Sequence, residues 1–220
     1  MRLYSIQSPA VYDLLYREGI FHSRPLAFAH STLLDFSEDF KFSLAYEWMM
    51  AKMVERGLQR PGPDIYPIWS YYQWGGAAKP KPDLRYSGLK AWGGAARRVL
   101  MTFEIPANQV LLSDYDGWLS CLTYTYCGTS REFDAFYRRC EAQGGGPGWN
   151  QPLAGPWHQE LTRGWGRVSD LGTSRPLAGT NMANHVIQAT CWSVTVDQLV
   201  DAVAFGHGRP RERLPIFKPQ

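Results

Sequence analysis

Two glutamines stand inside apolar, strand-like segments that lie far apart in the chain. Gln7 follows the run 3–6, and Gln188 lies among the alternating apolar residues of 185–196. A buried amide that lacks a hydrogen-bond partner costs about 1–3 kcal/mol, so such a residue usually has one. The partner is either backbone, or a ligand amide or nucleobase that glutamine meets with a donor and an acceptor together.

Several standard catalytic and metal-binding motifs are missing. The chain has no G-x-G-x-x-G after a strand, no phosphate-binding G-x-x-x-x-G-K-[ST], no H-E-x-x-H and no G-x-S-x-G. The spacing of its five histidines does not match that of metal ligands. A catalytic triad stays open, because triads are assembled from residues that are distant in sequence. The four cysteines form no C-x-x-C pair, which disfavours a zinc knuckle and predicts reduced, mostly buried thiols.

Charge is concentrated near the end of the chain. Four cations and one carboxylate within 208–220 give that segment a charge of +3, equal to the net charge of all 220 residues. We therefore expect one domain over 1–207, a basic tail over 208–220 and no general nucleic-acid binding. A second basic stretch over 79–98 either receives a phosphate or forms a solvated loop.

Neither a leader nor a membrane segment is expected. Residues 1–16 contain no long apolar run, and no stretch approaches the roughly 20 apolar residues of a membrane helix. The predicted location is the cytoplasm, and no membrane partner is expected.

Helix signals recur between the strand-like segments. Ser8-Pro9 starts a helix that Gly19 ends, and Asp35 with Glu38 has capping-box spacing before an apolar stripe that runs to Gly57. A further helix is predicted to start at Thr129, with Glu132 at capping-box spacing. The segment 157–165 also has helical character, within a Gly- and Pro-rich region over 144–184.

Strand signals are clearest in the middle and in the later part of the chain. Strands are predicted at 3–6, 65–74, 99–105, 110–112, 185–196 and 202–205, with a mobile loop over 77–96. Pro67 confines its strand to a sheet edge or to a strand start, and Leu100 indicates burial of both strand faces. Since the late connections are too short for parallel crossovers, we expect an α+β fold. Its sheet would be mostly antiparallel or mixed, with about five or more strands and helices packed around it.

Motifs along nearly the full chain resemble the bacterial domain-of-unknown-function family DUF3841. The matching pieces are Leu-Tyr-Ser-Ile-Gln at 3–7, Ala-Tyr-Glu-Trp-Met at 45–49, Pro-Ile-Trp at 67–69, Lys-Pro-Asp-Leu-Arg at 81–85, Glu-Ile-Pro at 104–106, Val-Leu-Leu-Ser-Asp-Tyr-Asp at 110–116 and Gln-Ala-Thr-Cys-Trp at 188–192. This resemblance implies no activity.

The order of elements is also similar to the ADP-ribosyltransferase superfamily. Those folds often open with Leu-Tyr-His-x-Thr, a helix and a glycine, and they carry a catalytic glutamate on a late strand. Here Ser5 stands in place of the histidine, Gln7 in place of the threonine and Gln188 in place of the glutamate. The resemblance implies an NAD or nucleotide ligand. The loss of the glutamate charge puts standard transfer in doubt unless Glu104, Asp114, Asp116 or Glu160 substitutes.

On that resemblance, Gln188, Gln7 and Glu104 are the predicted catalytic residues. The predicted ligand-binding residues are Tyr4, Ser5, Trp69, Tyr71, Arg85, Asp114 and Trp192. Trp69 and Tyr71 are expected to stack on a base, and Arg85 to reach a phosphate. The hypothesis requires Gln7 and Gln188 to lie in one pocket that is lined by aromatic side chains.

Three functions remain open on the sequence. The first is a transferase or glycohydrolase that acts on NAD or a nucleotide, in a degenerate ADP-ribosyltransferase-like fold. The second is a non-catalytic module that binds a small molecule or nucleobase in an aromatic pocket. The third is a protein-interaction partner that uses the basic tail and the region 144–184.

Overall fold

The structure is a computed structural model. It describes residues 1–24, 40–86, 89, 97–144, 152–171, 185–206 and 208–216. The predicted capping box of Asp35 and Glu38 lies outside the described residues.

One antiparallel sheet of seven strands dominates the described part of the chain. In chain order the strands are β1 (Arg2–Gln7), β2 (Ile20–Phe21), β3 (Ile68–Gln73), β4 (Arg98–Glu104), β5 (Leu111–Asp114), β6 (Ile187–Cys191), β7 (Val194–Thr195), β8 (Leu199–Gly206) and β9 (Arg209–Arg213). The large sheet has the order β5-β6-β3-β1-β4-β8-β9, while β2 and β7 form a separate two-stranded sheet. Each of these strand pairs is antiparallel.

Five α-helices pack around the sheet within the described residues. They are α1 (Pro9–Glu18), α2 (Phe40–Glu55), α3 (Tyr115–Leu122), α4 (Ser130–Ala142) and α5 (Gly155–Gly164). Short 3-10 helices cover 107–109, 165–169 and 196–198. The predicted α+β fold, with a mostly antiparallel or mixed sheet of about five or more strands, is therefore confirmed, and the large sheet is antiparallel with seven strands.

Local signals in the sequence account for several element ends. Pro9 occupies the first turn of α1, where its missing N–H leaves no bond unmade, and Gly19 ends that helix with a left-handed φ of 73°. Thr129 and Glu132 form the predicted capping box at the start of α4. Pro67 directly precedes β3, which lies inside the sheet, so its missing donor falls at a strand start.

The two faces of the large sheet carry different cores. On the first face, Leu3, Met101 and Ala189 pack with α1. On the second face, β3 and β5 meet α2 to α5 around the fully buried Trp165. The second face of β1, β4 and β8 instead meets the loop after β3, which inserts Leu84 beside Tyr4 and Leu100. Because β4 is buried from Val99 to Phe103, burial of both its faces is confirmed.

The segment that the sequence marks as a basic tail contributes β9, which pairs with β8 at one edge of the sheet. The main-chain N–H of Leu214 continues this pairing by donating to Ala202. The Tyr12 and Tyr16 hydroxyls both donate to the carbonyl of Pro215 and so join the segment to α1. None of the described helices is long and apolar enough to cross a membrane.

All four cysteines are free and buried, as the sequence predicts. Burial raises the pKa of the Cys191 thiol to about 12, because the interior disfavours the thiolate. Burial also raises the pKa of Cys127 to about 12, with a further increase from the charge of Asp114. Neither thiol is therefore suited to nucleophilic chemistry near neutral pH.

The start of α4 gives a prediction about acid stability. Glu132 accepts hydrogen bonds from Arg167 and from the Thr129 hydroxyl and backbone, and these bonds, Arg167 first, hold its pKa well below the usual range. A lowered pKa stabilises the fold above the unfolded-state value near 4.3, and this contribution disappears as pH falls through the folded-state value. Since the pair is partly exposed, Glu132→Gln should cost about 1–2 kcal/mol at pH 7.

Urea denaturation at pH 7 and at pH 3 tests this expectation. The gap between Glu132→Gln and the unchanged chain should narrow at pH 3. Asp134→Asn, an exposed change in the same helix, is the matched control and should stay within about 0.5 kcal/mol of the unchanged chain. A gap that stays constant with pH would contradict the assignment to the carboxylate charge.

Candidate functional site

A line of polar side chains crosses the second face of the sheet. The residues stand directly opposite one another on adjacent strands and therefore project to the same side. From β5 to β8 they are Ser113, Gln188, Tyr71, Tyr4, Thr102 and Asp201. We call this set the polar row. With strands about 4.8 Å apart, Gln188 and Tyr4 lie two strand spacings from each other.

Polar atoms in this row are buried without partners. The Ser113 hydroxyl, the Oε1 atom of Gln188 and the Thr102 hydroxyl have no hydrogen-bond partner among the described residues. Ser113 and Gln188 are cross-strand neighbours, so two of these atoms belong to one local cluster. An unpaired buried acceptor or hydroxyl costs about 1–3 kcal/mol. The row therefore holds three buried polar atoms whose hydrogen-bonding capacity is unmet among the described residues.

A chain of aromatic rings leads from the row to the surface. Tyr71 meets Trp74 edge-on with ring centroids 4.7 Å apart, and Trp74 meets Tyr86 with centroids 6.0 Å apart. The exposed fraction rises from 8% for Tyr71 to 57% for Tyr86. Burial raises the pKa of the Tyr71 hydroxyl, with a smaller contribution from Tyr115, so this hydroxyl stays a neutral donor.

The predicted meeting of Gln7 and Gln188 does not occur. Tyr4 and Gln188 share a face, while Gln7 lies an odd number of residues from Tyr4 in β1 and so projects to the other face. Its Nε2 donates to the Ser5 hydroxyl over 2.9 Å, and that hydroxyl donates to the Trp69 carbonyl. Both polar side chains thus form hydrogen bonds within the protein, on the face opposite the row.

Glu104 and Arg85 are engaged elsewhere. Glu104 lies at the end of β4, half-exposed, and pairs with Arg2 at 2.6 Å. Three strand spacings separate β4 from β6, so Glu104 does not replace a charge at Gln188. Arg85 is exposed and binds the carboxylate of Asp83 through both Nε and Nη2, which holds the pKa of Asp83 well below its usual range.

Two tryptophans predicted to bind a ligand serve in the core. Trp69 stacks on Trp118 with ring centroids 4.5 Å apart and belongs to the cluster around α2 to α5. Trp192 is buried and donates its Nε1–H to the Leu58 carbonyl over 3.0 Å. Glu160, a predicted substitute for the missing charge, lies in α5 and pairs with Arg139.

Asp114 lies next to Ser113 and holds the junction of β5 with α3. Its Oδ1 accepts from the Gly117 N–H, which caps the helix, and its Oδ2 bonds Nε2 of His185. Asp116 stands nearby: burial and the charge of Asp114 raise its pKa, and His185 opposes that increase. Both carboxylate oxygens of Asp114 are thus engaged within the protein, beside the row.

The fold brings together three of the predicted site residues, Tyr4, Tyr71 and Gln188. Sequence reasoning missed Ser113 and Thr102. Serine and threonine are common at the surface positions of strands, so one such residue does not indicate a site. Sequence reasoning also missed His185, because the bond of this residue to Asp114 joins positions 71 residues apart in the sequence. No group of three or more metal-ligating side chains occurs among the described residues.

Comparison with family models decides the family. The model described as "Domain of unknown function (DUF3841)" matches residues 2–200. The chain belongs to the DUF3841 family. This DUF3841 chain showed no match to the curated proteins, and none to the solved structures. The matched range spans β1 to β7 and includes all of the polar row except Asp201.

Proposed function

We propose that this DUF3841 chain binds NAD or a related nucleotide on the polar row, as a degenerate ADP-ribosyltransferase-like protein. The observation that carries the proposal is the alignment of Tyr4, Tyr71 and Gln188 on one sheet face, with the Oε1 of Gln188 unpaired. The first and late strands that resemble the superfamily are separated here by a single strand, β3.

The chemistry of the row fits an amide-bearing ring better than an anion. Gln188 presents an acceptor beside the Ser113 hydroxyl, and the buried Tyr71 hydroxyl remains protonated. Nicotinamide and the nucleobases carry donors and acceptors on one planar edge, which such groups recognise. Rings at Tyr71 and Trp74 offer apolar contact to the same planar group.

A binding module without turnover is the second candidate, and one observation favours it. The position that resembles the catalytic glutamate holds Gln188, and Glu104 and Glu160 are each paired with an arginine. An uncharged amide keeps a hydrogen bond to a ribose hydroxyl but gives little stabilisation to a developing cation.

Calorimetric titration with NAD, paired with chromatography of released nicotinamide, tests the proposal. We expect the unchanged chain to bind NAD, and Gln188→Leu to weaken binding about tenfold, since one hydrogen bond to a buried group is lost. Gln7→Leu is the matched control, because it removes the same amide from the opposite sheet face. Binding with nicotinamide release supports the enzyme, and binding without release supports the module.

Absence of NAD binding, with circular dichroism showing an intact fold, would remove the proposal. Equal losses in Gln188→Leu and Gln7→Leu would also count against the row as the site.

A further inference from the structure

Two basic segments that are distant in sequence lie side by side in the fold. Lys81, from the loop after β3, and Arg213, from β9, both bind the carboxylate of Asp201 at 3.3 and 3.0 Å. Arg211 lies near enough to contribute to the lowered pKa of Asp83 in the same loop. The loop over 81–86 and strand β9 therefore form one continuous surface, which we call the basic surface.

The basic surface holds a charge equal to that of the entire chain. Its charged groups on the second sheet face and in the loop are Lys81, Asp83, Arg85, Arg98, Asp201, Arg211 and Arg213. Five cations against two carboxylates leave +3, which is also the net charge of the 220 residues. The other residues of the chain thus sum to no net charge.

One exposed aromatic ring lies in the loop that carries part of this surface. Tyr86 directly follows Arg85 and is 57% exposed, although tyrosines are usually more covered. Its ring is backed by Trp74 at 6.0 Å. A ring that is exposed and supported from behind provides a platform on which a planar group can stack.

We propose that the basic surface binds single-stranded nucleic acid, with phosphates at Arg211, Arg213 and Lys81 and a base on Tyr86. Arginines recognise phosphates bidentately, and four of the five cations are arginines. Proteins that bind single-stranded nucleic acid combine cations, which contact phosphates, with aromatic rings on which bases stack. A stacking ring would contribute little to the binding of an acidic peptide. Binding here does not require NAD on the polar row, although the two surfaces share Asp201. It departs from the expectation of no general nucleic-acid binding, because the fold joins Lys81 and Arg213 in one surface.

Fluorescence anisotropy with a labelled 12-nucleotide oligothymidylate tests the proposal. We expect binding at 50 mM salt that weakens toward 200 mM, because counterions released from the phosphates drive association. Arg211→Gln/Arg213→Gln should reduce affinity about tenfold or more and flatten the salt dependence. Tyr86→Ala should reduce affinity about fivefold or more, and should have no effect on an abasic strand of equal length.

Arg17→Gln/Arg138→Gln is the matched control, because it removes equal charge from exposed positions in α1 and α4. It should leave binding nearly unchanged. Equal losses in the two double variants, or no binding at 50 mM salt, would overturn the proposal. Displacement of the oligonucleotide by polyglutamate at equal concentration would assign the surface to an acidic protein instead.

Discussion

Replacing Gln188 by glutamate is expected to increase nicotinamide release from NAD about a hundredfold over the unchanged chain. On the proposed function, Gln188 lies where a carboxylate would stabilise positive charge as nicotinamide leaves. A fixed charge in a water-poor site is worth several kcal/mol to such a transition state. Gln188→Glu changes charge with almost no change in shape, and the neighbouring Ser113 hydroxyl is able to donate to the new carboxylate.

The pH profile separates this effect from a change in binding. Because burial disfavours a charged carboxyl group, the introduced side chain should have a raised pKa, and activity should increase between pH 6 and pH 8. Gln7→Glu, on the opposite face, is the control and should not release nicotinamide. A folded Gln188→Glu chain that binds NAD but releases no more nicotinamide than the unchanged chain would contradict the catalytic part of the proposal.

Removal of the Asp114 side chain is expected to give the largest loss of stability among single polar substitutions near the row, about 3 kcal/mol. Asp114 is 4% exposed and serves two partners, the Gly117 N–H and His185. Asp114→Ala removes a helix cap, worth about 1 kcal/mol, and a charge-assisted hydrogen bond, worth about 1.5–3 kcal/mol. Urea denaturation followed by circular dichroism measures the change.

Asp116→Ala provides the comparison for this experiment. Burial and repulsion by Asp114 raise the pKa of Asp116, so its removal relieves an unfavourable charge interaction. We expect its free energy of unfolding to stay within about 0.5 kcal/mol of the unchanged chain, or to increase slightly. Equal destabilisation by both substitutions would show that the cap and the bond to His185 are not the cause.

Much of the fold was predictable because many of its helices and strands are specified by residues close together in the sequence. The alternation of apolar residues over 99–105 and the capping box at Thr129 depend on neighbours in sequence, and both appear in the structure. The strand order was not predictable, since it depends on which strands meet over long separations. β9 shows the difficulty: its run Arg-Pro-Arg-Glu-Arg has a polar sequence that suits a sheet edge yet resembles a solvated tail.

The candidate site was likewise predictable in part. Gln188 was recognisable as a polar residue in a buried strand, and Tyr4 and Tyr71 were proposed with it. The face of each residue depends on register, and a displacement by one residue moves a side chain to the other side of the sheet. Gln7 was therefore grouped with Gln188, although backbone geometry directs it to Ser5 on the opposite face.

The central place of β1 in the sheet has a consequence for how the chain folds. β1 comes first among the strands in sequence, yet both its partners lie far along the chain, β3 at Ile68–Gln73 and β4 at Arg98–Glu104. β3 in turn pairs with β6, more than a hundred residues later. Because these contacts join residues that are distant in sequence, the chain should fold at the slow rate that is typical of β proteins. Strand edges should stay unpaired and exposed until β6 pairs with β3.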